Sequence, residues 1–222
     1  MDRWLFPLLA SLLSAIFAYF LGQQYRERKK PHQLTWLVSF LVFSFAAFAE
    51  FYSEVWGWNA GLYRFYYVAA ASLVAFMAAG TVYLFSRRAG HLFVGAVVLV
   101  TLVMLYRSLT APINVGAFVP GVTVAGKAMP NSVRIFSPLL TVPSSLILIF
   151  GAIISWAKAG AWYNLLIAAG TLIIAGSGSA ARFGVPRFLY LGEMLGLAVI
   201  FAGFMKSREV IRARDGARQG KA

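Results

Sequence analysis

The chain has no cysteine, which excludes disulfides, thiolate metal sites, iron–sulfur ligation and cysteine nucleophiles together. Histidine is nearly absent. His32 falls in a loop and His91 at the start of an apolar run, so neither can seed a haem or zinc site within a membrane span. The six lysines (Lys29, Lys30, Lys127, Lys158, Lys206 and Lys221) all lie outside the apolar runs, which removes the Schiff-base lysine that a retinal pigment requires. Acidic residues number seven against 20 Lys and Arg, and only 12% of residues are charged. That is too little polarity for a water-soluble domain. The excess of +13 sits in loops and at run ends without a module that could present it to a nucleic-acid groove, so nucleic acid is not an expected partner.

Long hydrophobic runs are what the chain does have, and 60% of its 222 residues are hydrophobic. A span needs roughly 20 apolar residues to cross a hydrocarbon core about 30 Å thick. Seven runs approach that length: Trp4 to Gly22, Leu34 to Ser53, Tyr63 to Phe85, His91 to Leu109, Ile135 to Trp156, Trp162 to Ser177 and Pro186 to Met205. The expectation is an all-α integral membrane protein, with residues 1–205 as one seven-helix domain and 206–222 as a basic tail that begins as a helix. No room is left for a soluble catalytic domain, no enzyme is expected, and no cofactor or metal is implied. The basic cluster Arg26 to Lys30 follows the first run instead of preceding it, so that run reads as a retained helix and not a signal peptide.

Orientation follows from the basic residues. Arg26, Arg28, Lys29, Lys30, Arg87, Arg88, Lys158, Lys206, Arg208, Arg212, Arg214, Arg218 and Lys221 fall on one side of a seven-span arrangement. Arg3, Arg64, Arg107, Lys127, Arg134, Arg182 and Arg187 fall on the other. Thirteen against seven predicts an outside N-terminus and a cytoplasmic C-terminus, in a cell membrane of the prokaryotic plasma-membrane kind. All six tryptophans fall at or just beyond run ends, as an interfacial belt would place them. The outer loop 110–134 carries Pro112, Pro120 and Pro130, and Pro120-Gly121 reads as a turn within either an ordered cap or a loose connector.

The first three runs match the last three at several anchors. Pro7-Leu8-Leu9 matches Pro138-Leu139-Leu140, Trp36 matches Trp162, Arg64-Phe65-Tyr66-Tyr67 matches Arg187-Phe188-Leu189-Tyr190, and Ser86-Arg87 matches Ser207-Arg208. Repeats over 4–88 and 135–208 would run parallel because the intervening helix, 91–109, restores the orientation. In span count and 3+1+3 order, over roughly residues 4 to 205, the chain resembles the SWEET and PQ-loop transporters. Their Pro-Gln signature is missing, since His32 follows Pro31 and Ser144 follows Pro143. The resemblance implies a solute path between the triplets.

Charge inside a span costs at least roughly 2.5 to 3.5 kcal/mol at the bilayer centre, so Glu193, Glu50, Arg64 and Arg187 require a reason to be there. Glu193 lies seven residues beyond Pro186, roughly 10 Å along a helix, and is the deepest acid. The candidate ligand-binding set is Glu193, Glu50, Arg64, Arg187, Tyr67 and Tyr190, around a polar vestibule in the outer half. The structural alternative is that Glu193 pairs with Arg64 or Arg187 for assembly while the arginines snorkel to headgroups. Gly176-Ser177-Gly178-Ser179 reads as close helix packing, and Pro143-Ser144-Ser145 as a kink that can free a carbonyl. The leading expectation is a small-solute or ion transporter or channel. The rival is a membrane receptor or assembly subunit that binds a lipid or small ligand and signals through a separate protein. Expected partners are membrane lipids, a small solute or ion, and a second copy or another membrane protein.

Overall fold

The computed structural model describes residues 4–119, 124, 126–160, 162–182 and 189–219. These residues form helices in the order α1 (Leu5–Arg28), α2 (Pro31–Trp56), α3 (Ala60–Phe85), α4 (Arg87–Thr110), the one-turn α5 (Asn131–Arg134), α6 (Phe136–Ala159), α7 (Tyr163–Arg182) and α8 (Leu189–Gln219). There is no strand among them. Six helices are long and apolar enough to cross a membrane, and Tyr163–Gly178 within α7 is a shorter apolar stretch. The chain is a multi-pass helical membrane protein. The tail continues α8 as helix through Gln219.

Local chemistry sets where the helices stop and restart. Lys29 closes α1 in the left-handed region (φ 47°), and Pro31 then opens α2 at the first helical position, where its missing N–H goes unmissed. The Asn59 side chain accepts from Leu62 N at 2.8 Å to start α3. Ser86 ends α3 and starts α4, its hydroxyl accepting from Ala89 N at 3.3 Å. Gly160 ends α6 at φ 61°.

Neighbour contacts arrange six helices as a closed ring in the order α1, α2, α3, α6, α7, α8 and back to α1. α4 lies outside the ring, chiefly against α3, and its Leu92, Leu99, Leu102 and Tyr106 are more than half exposed. Within α1–α3 the seams are held by hydroxyls that bond backbone carbonyls of the next helix. Ser11 and Ser44 exchange such bonds at 2.9 and 3.0 Å, Ser14 donates to Phe40 O at 2.8 Å, and Ser39 donates to Leu73 O at 2.6 Å. In a dry bundle these donors have no water to satisfy them, so interhelical bonding is their stable outcome.

Two departures from the aromatic-belt expectation have clear causes. Trp36 is partly buried, donating to Met77 O at 3.0 Å with its indole filling the notch at Gly80, where a Cβ would lie 2.1 Å from Nε1. Trp58 packs on Tyr63 and Tyr66, with ring centroids 5.3 and 4.7 Å away. Trp4, Trp56, Trp156 and Trp162 are exposed, as belt residues should be.

The connection from α4 to α6 is ordered over its described part. Val124, Ala128, Met129 and Val133 are buried against Tyr63, Tyr67 and Met104, and Asn114 N donates to Ala128 O at 3.0 Å. It forms a cap over one end of α3 and α4. The Pro120-Gly121 turn lies outside the described residues.

α7 and α8 approach to backbone contact. A Cβ on Gly170 would lie 2.4 Å from Gly196 O, one on Gly196 would lie 2.6 Å from Gly170 O, and one on Gly192 would lie 2.3 Å from Ser177 Cβ. Small residues permit that approach, and dispersion over the seam rewards it. Close packing thus falls on Ser177 but not on Gly176 or Gly178, where an added Cβ would meet nothing within 4 Å.

Candidate functional site

Inside the ring lies a cavity of about 800 Å³, lined by α2, α3, α6, α7 and α8. Its size falls within the range of small-molecule pockets, roughly 300–1,000 Å³. Much of the wall is apolar: Phe43 and Ala47 of α2, Val74 of α3, Leu146 of α6, Ile174 of α7 and Leu197 of α8.

The polar groups converge on one region. Glu50 and Glu54 sit one turn apart on α2, and Tyr190 and Glu193 sit one turn apart on α8, so each helix presents two polar side chains along one face. Tyr66 of α3 donates to Glu50 Oε1 at 2.5 Å. Tyr190 donates to Glu54 Oε1 at 2.9 Å, bridging α8 to α2 across the ring. Glu50 and Glu193 line the same cavity, one from α2 and one from α8, near enough for each to act on the other's charge. Glu50 is 3% exposed, and its Oε2 has no donor among the described residues. Two carboxylates close together in a medium of low dielectric repel strongly, and a single proton between them converts that repulsion into a hydrogen bond.

Of the two arginines expected beside Glu193, Arg64 is corrected: it bonds the end of α4 instead, and the acid that shares the cavity with Glu193 is Glu50. Arg64 is elsewhere because it lies two residues from Tyr66, roughly 200° around α3. It reaches the C-terminal end of α4 instead, donating through Nη1 to Ser108 O and through Nη2 to Ala111 O at 2.8 Å. Those carbonyls close a helix, where backbone acceptors are unpaired and a cation is favoured. Tyr67 lines the cavity beneath the cap, and a Cβ on Gly126 would lie 3.3 Å from its hydroxyl. Tyr190 is buried beside the acids through its bond to Glu54, not on the cavity wall. Arg187 lies outside the described residues.

Several lining residues were not anticipated. Ser137, Thr141 and Ser145 follow each other at four-residue spacing and present one polar stripe of α6 to the cavity, joined by Thr171 of α7. That spacing is visible in the sequence. Asn131 and Arg134 of α5 are exposed and stand at the cavity mouth. Pro143 lies inside α6 and leaves Leu139 O without its usual amide donor.

A second cavity of about 380 Å³ lies toward the other end of the ring, with Lys158 and Asn164 among its lining residues. Met77 of α3, Leu148 of α6 and Ile200 of α8 line both cavities, which therefore adjoin at these three apolar side chains. No group of three or more His, Cys, Asp or Glu that could hold a metal occurs among the described residues.

These features define a class: a multi-pass helical membrane protein with a carboxyl pair set in an internal cavity. No protein-family model, curated protein or solved structure matches the chain.

Proposed function

We propose that this chain is a small-solute transporter whose binding site is the cavity around Glu50 and Glu193. The observation that carries the reading is the pair of cavities meeting at Met77, Leu148 and Ile200, with an acid pair inside the larger one. A protein that only assembled or anchored would gain nothing from two vestibules adjoining at three apolar side chains. Intramembrane ionisable groups facing a cavity are the usual mark of a substrate or ion path.

The ring order supports a parallel repeat. A two-fold axis along the membrane normal that exchanges α1, α2 and α3 with α6, α7 and α8 maps every ring neighbour onto another, including the α3–α6 and α8–α1 seams. α4 is then the crossing that restores direction between triplets. Rocking one triplet against the other would open the cavities in turn. The basic-residue bias supports an orientation with the N-terminus and the larger cavity outside and the tail in the cytoplasm of a plasma membrane.

Liposomes loaded with a panel of radiolabelled amines, amino acids, sugars and inorganic ions provide the test. Flux above that of empty liposomes is expected for at least one class. Absence of flux across the panel, with the protein shown to be folded, refutes transport.

A further inference from the structure

We propose that the Glu50–Glu193 pair is an exchange site, at which a monovalent organic cation with an apolar body replaces a proton held between the two carboxyls. The substrate class rests on the transport reading above; the exchange itself can be tested by binding alone.

The argument begins with charge. With one proton between them, two carboxyls carry a net charge of −1. With the proton gone and a monovalent cation beside both, the net charge is again −1. Exchange therefore places no additional charge in the low-dielectric bundle, whereas binding a cation without losing the proton, or losing the proton without a cation, changes it by one unit. The atoms balance as well: one cation enters, one proton leaves to water, and no covalent bond to carbon is made or broken.

The geometry favours this exchange over its competitors. Glu50 Oε1 is already engaged by Tyr66, while Oε2 is buried without a hydrogen-bond partner among the described residues, so the carboxyl keeps unused acceptor capacity. A bare hard cation would want six to eight oxygen ligands or a tight shell. Here the oxygens are few and the cavity holds about 800 Å³, far more than one ion fills. The remaining wall supplies apolar contact from Val74, Leu146 and Leu197 and ring faces from Phe43 and Tyr67, which suit an alkyl or aryl body and a cationic head. An anion would meet two acids in the cavity, against one cationic lining side chain among the described residues, Arg134, which is exposed.

The groups that face the pair come from every neighbouring element. Tyr66 of α3 faces Glu50, and Glu54 of α2 with Tyr190 of α8 flank the pair. α6 and α7 bring hydroxyls, and α5 brings the Arg134 guanidinium.

The test uses the full chain in lipid nanodiscs and weak buffer, titrated with phenyltrimethylammonium, whose fixed charge can neither take up nor release a proton. Saturable binding is expected to release about one proton per cation near neutral pH. Apparent affinity should fall about tenfold for each unit of acidification in that regime. tert-Butylbenzene, the neutral carbon isostere, should neither release protons nor displace the cation. Glu50→Gln and Glu193→Gln should each abolish proton release. Because the main readout comes from the native chain, a variant that fails to fold leaves the test intact. No binding, binding without proton release, or equal competition by tert-butylbenzene overturns the proposal. Binding with proton release but no flux in liposomes refutes transport and leaves the exchange site standing.

Discussion

Replacing Gly196 by alanine tests whether the α7–α8 seam is as close as its glycines imply. The added Cβ would lie 2.6 Å from both Gly170 O and Ile174 Cγ1. Carbon contacts are comfortable at about 3.5–4.0 Å, so the helices must part by about 1 Å. Overpacking costs about 1–3 kcal/mol, and the upper end applies because one obstacle is backbone that cannot rotate away. Alanine's helix preference returns about 0.8–1.0 kcal/mol. The net is a loss of about 2 kcal/mol, equivalent to about 4–8 °C in Tm for a chain of this length. Gly176→Ala, on the partner helix α7 with nothing within 4 Å of its added Cβ, isolates the propensity effect and should hold or raise Tm. Intrinsic tryptophan fluorescence on a thermal ramp in one detergent measures all three proteins. Gly196→Ala melting at or above the native chain would refute the close approach.

Arg64→Met keeps an unbranched apolar stem but strips Ser108 O and Ala111 O of their donors, and should lower stability by about 1–3 kcal/mol in the same thermal assay. An unchanged melting temperature would show that those carbonyls find other partners. The native chain has no cysteine, so single substitutions report sidedness without background. Val115→Cys in the cap should react with a membrane-impermeant maleimide on intact cells, and Ala89→Cys at the other end of α4 should not. The opposite pattern would invert the orientation.

The helices were legible because a span is a local property: twenty apolar residues announce themselves whatever they pack against. Glu193 and Glu50 were legible as anomalies for the same reason, each being an acid within an apolar run. Their pairing was not, because it depends on which faces of α2 and α8 turn toward each other across the ring, and that is decided by distant contacts. Charge complementarity pointed Glu193 toward an arginine. The helical phase of α3 instead gives Arg64 to the end of α4 and gives Tyr66 to Glu50. Trp36 shows the same limit: its place near a run end suggested the interface, but Gly80 on the facing helix provides a notch that draws the indole inward. The stripe of Ser137, Thr141 and Ser145 was open to view, since its spacing needs only the periodicity of one helix.

The glycine seam also bears on how the ring can flex. Two helices separated by a layer of side chains can roll or slide as those side chains change rotamer. Where backbone touches backbone, as at Gly170 and Gly196, no such lubricating layer exists. α7 and α8 therefore behave as a single beam, and Ile200 rides on it while Met77 and Leu148 belong to other helices. Parting the three side chains that both cavities share requires hinging where side chains interleave, at the α3–α6, α6–α7 or α8–α1 seams, with the beam swinging as one piece.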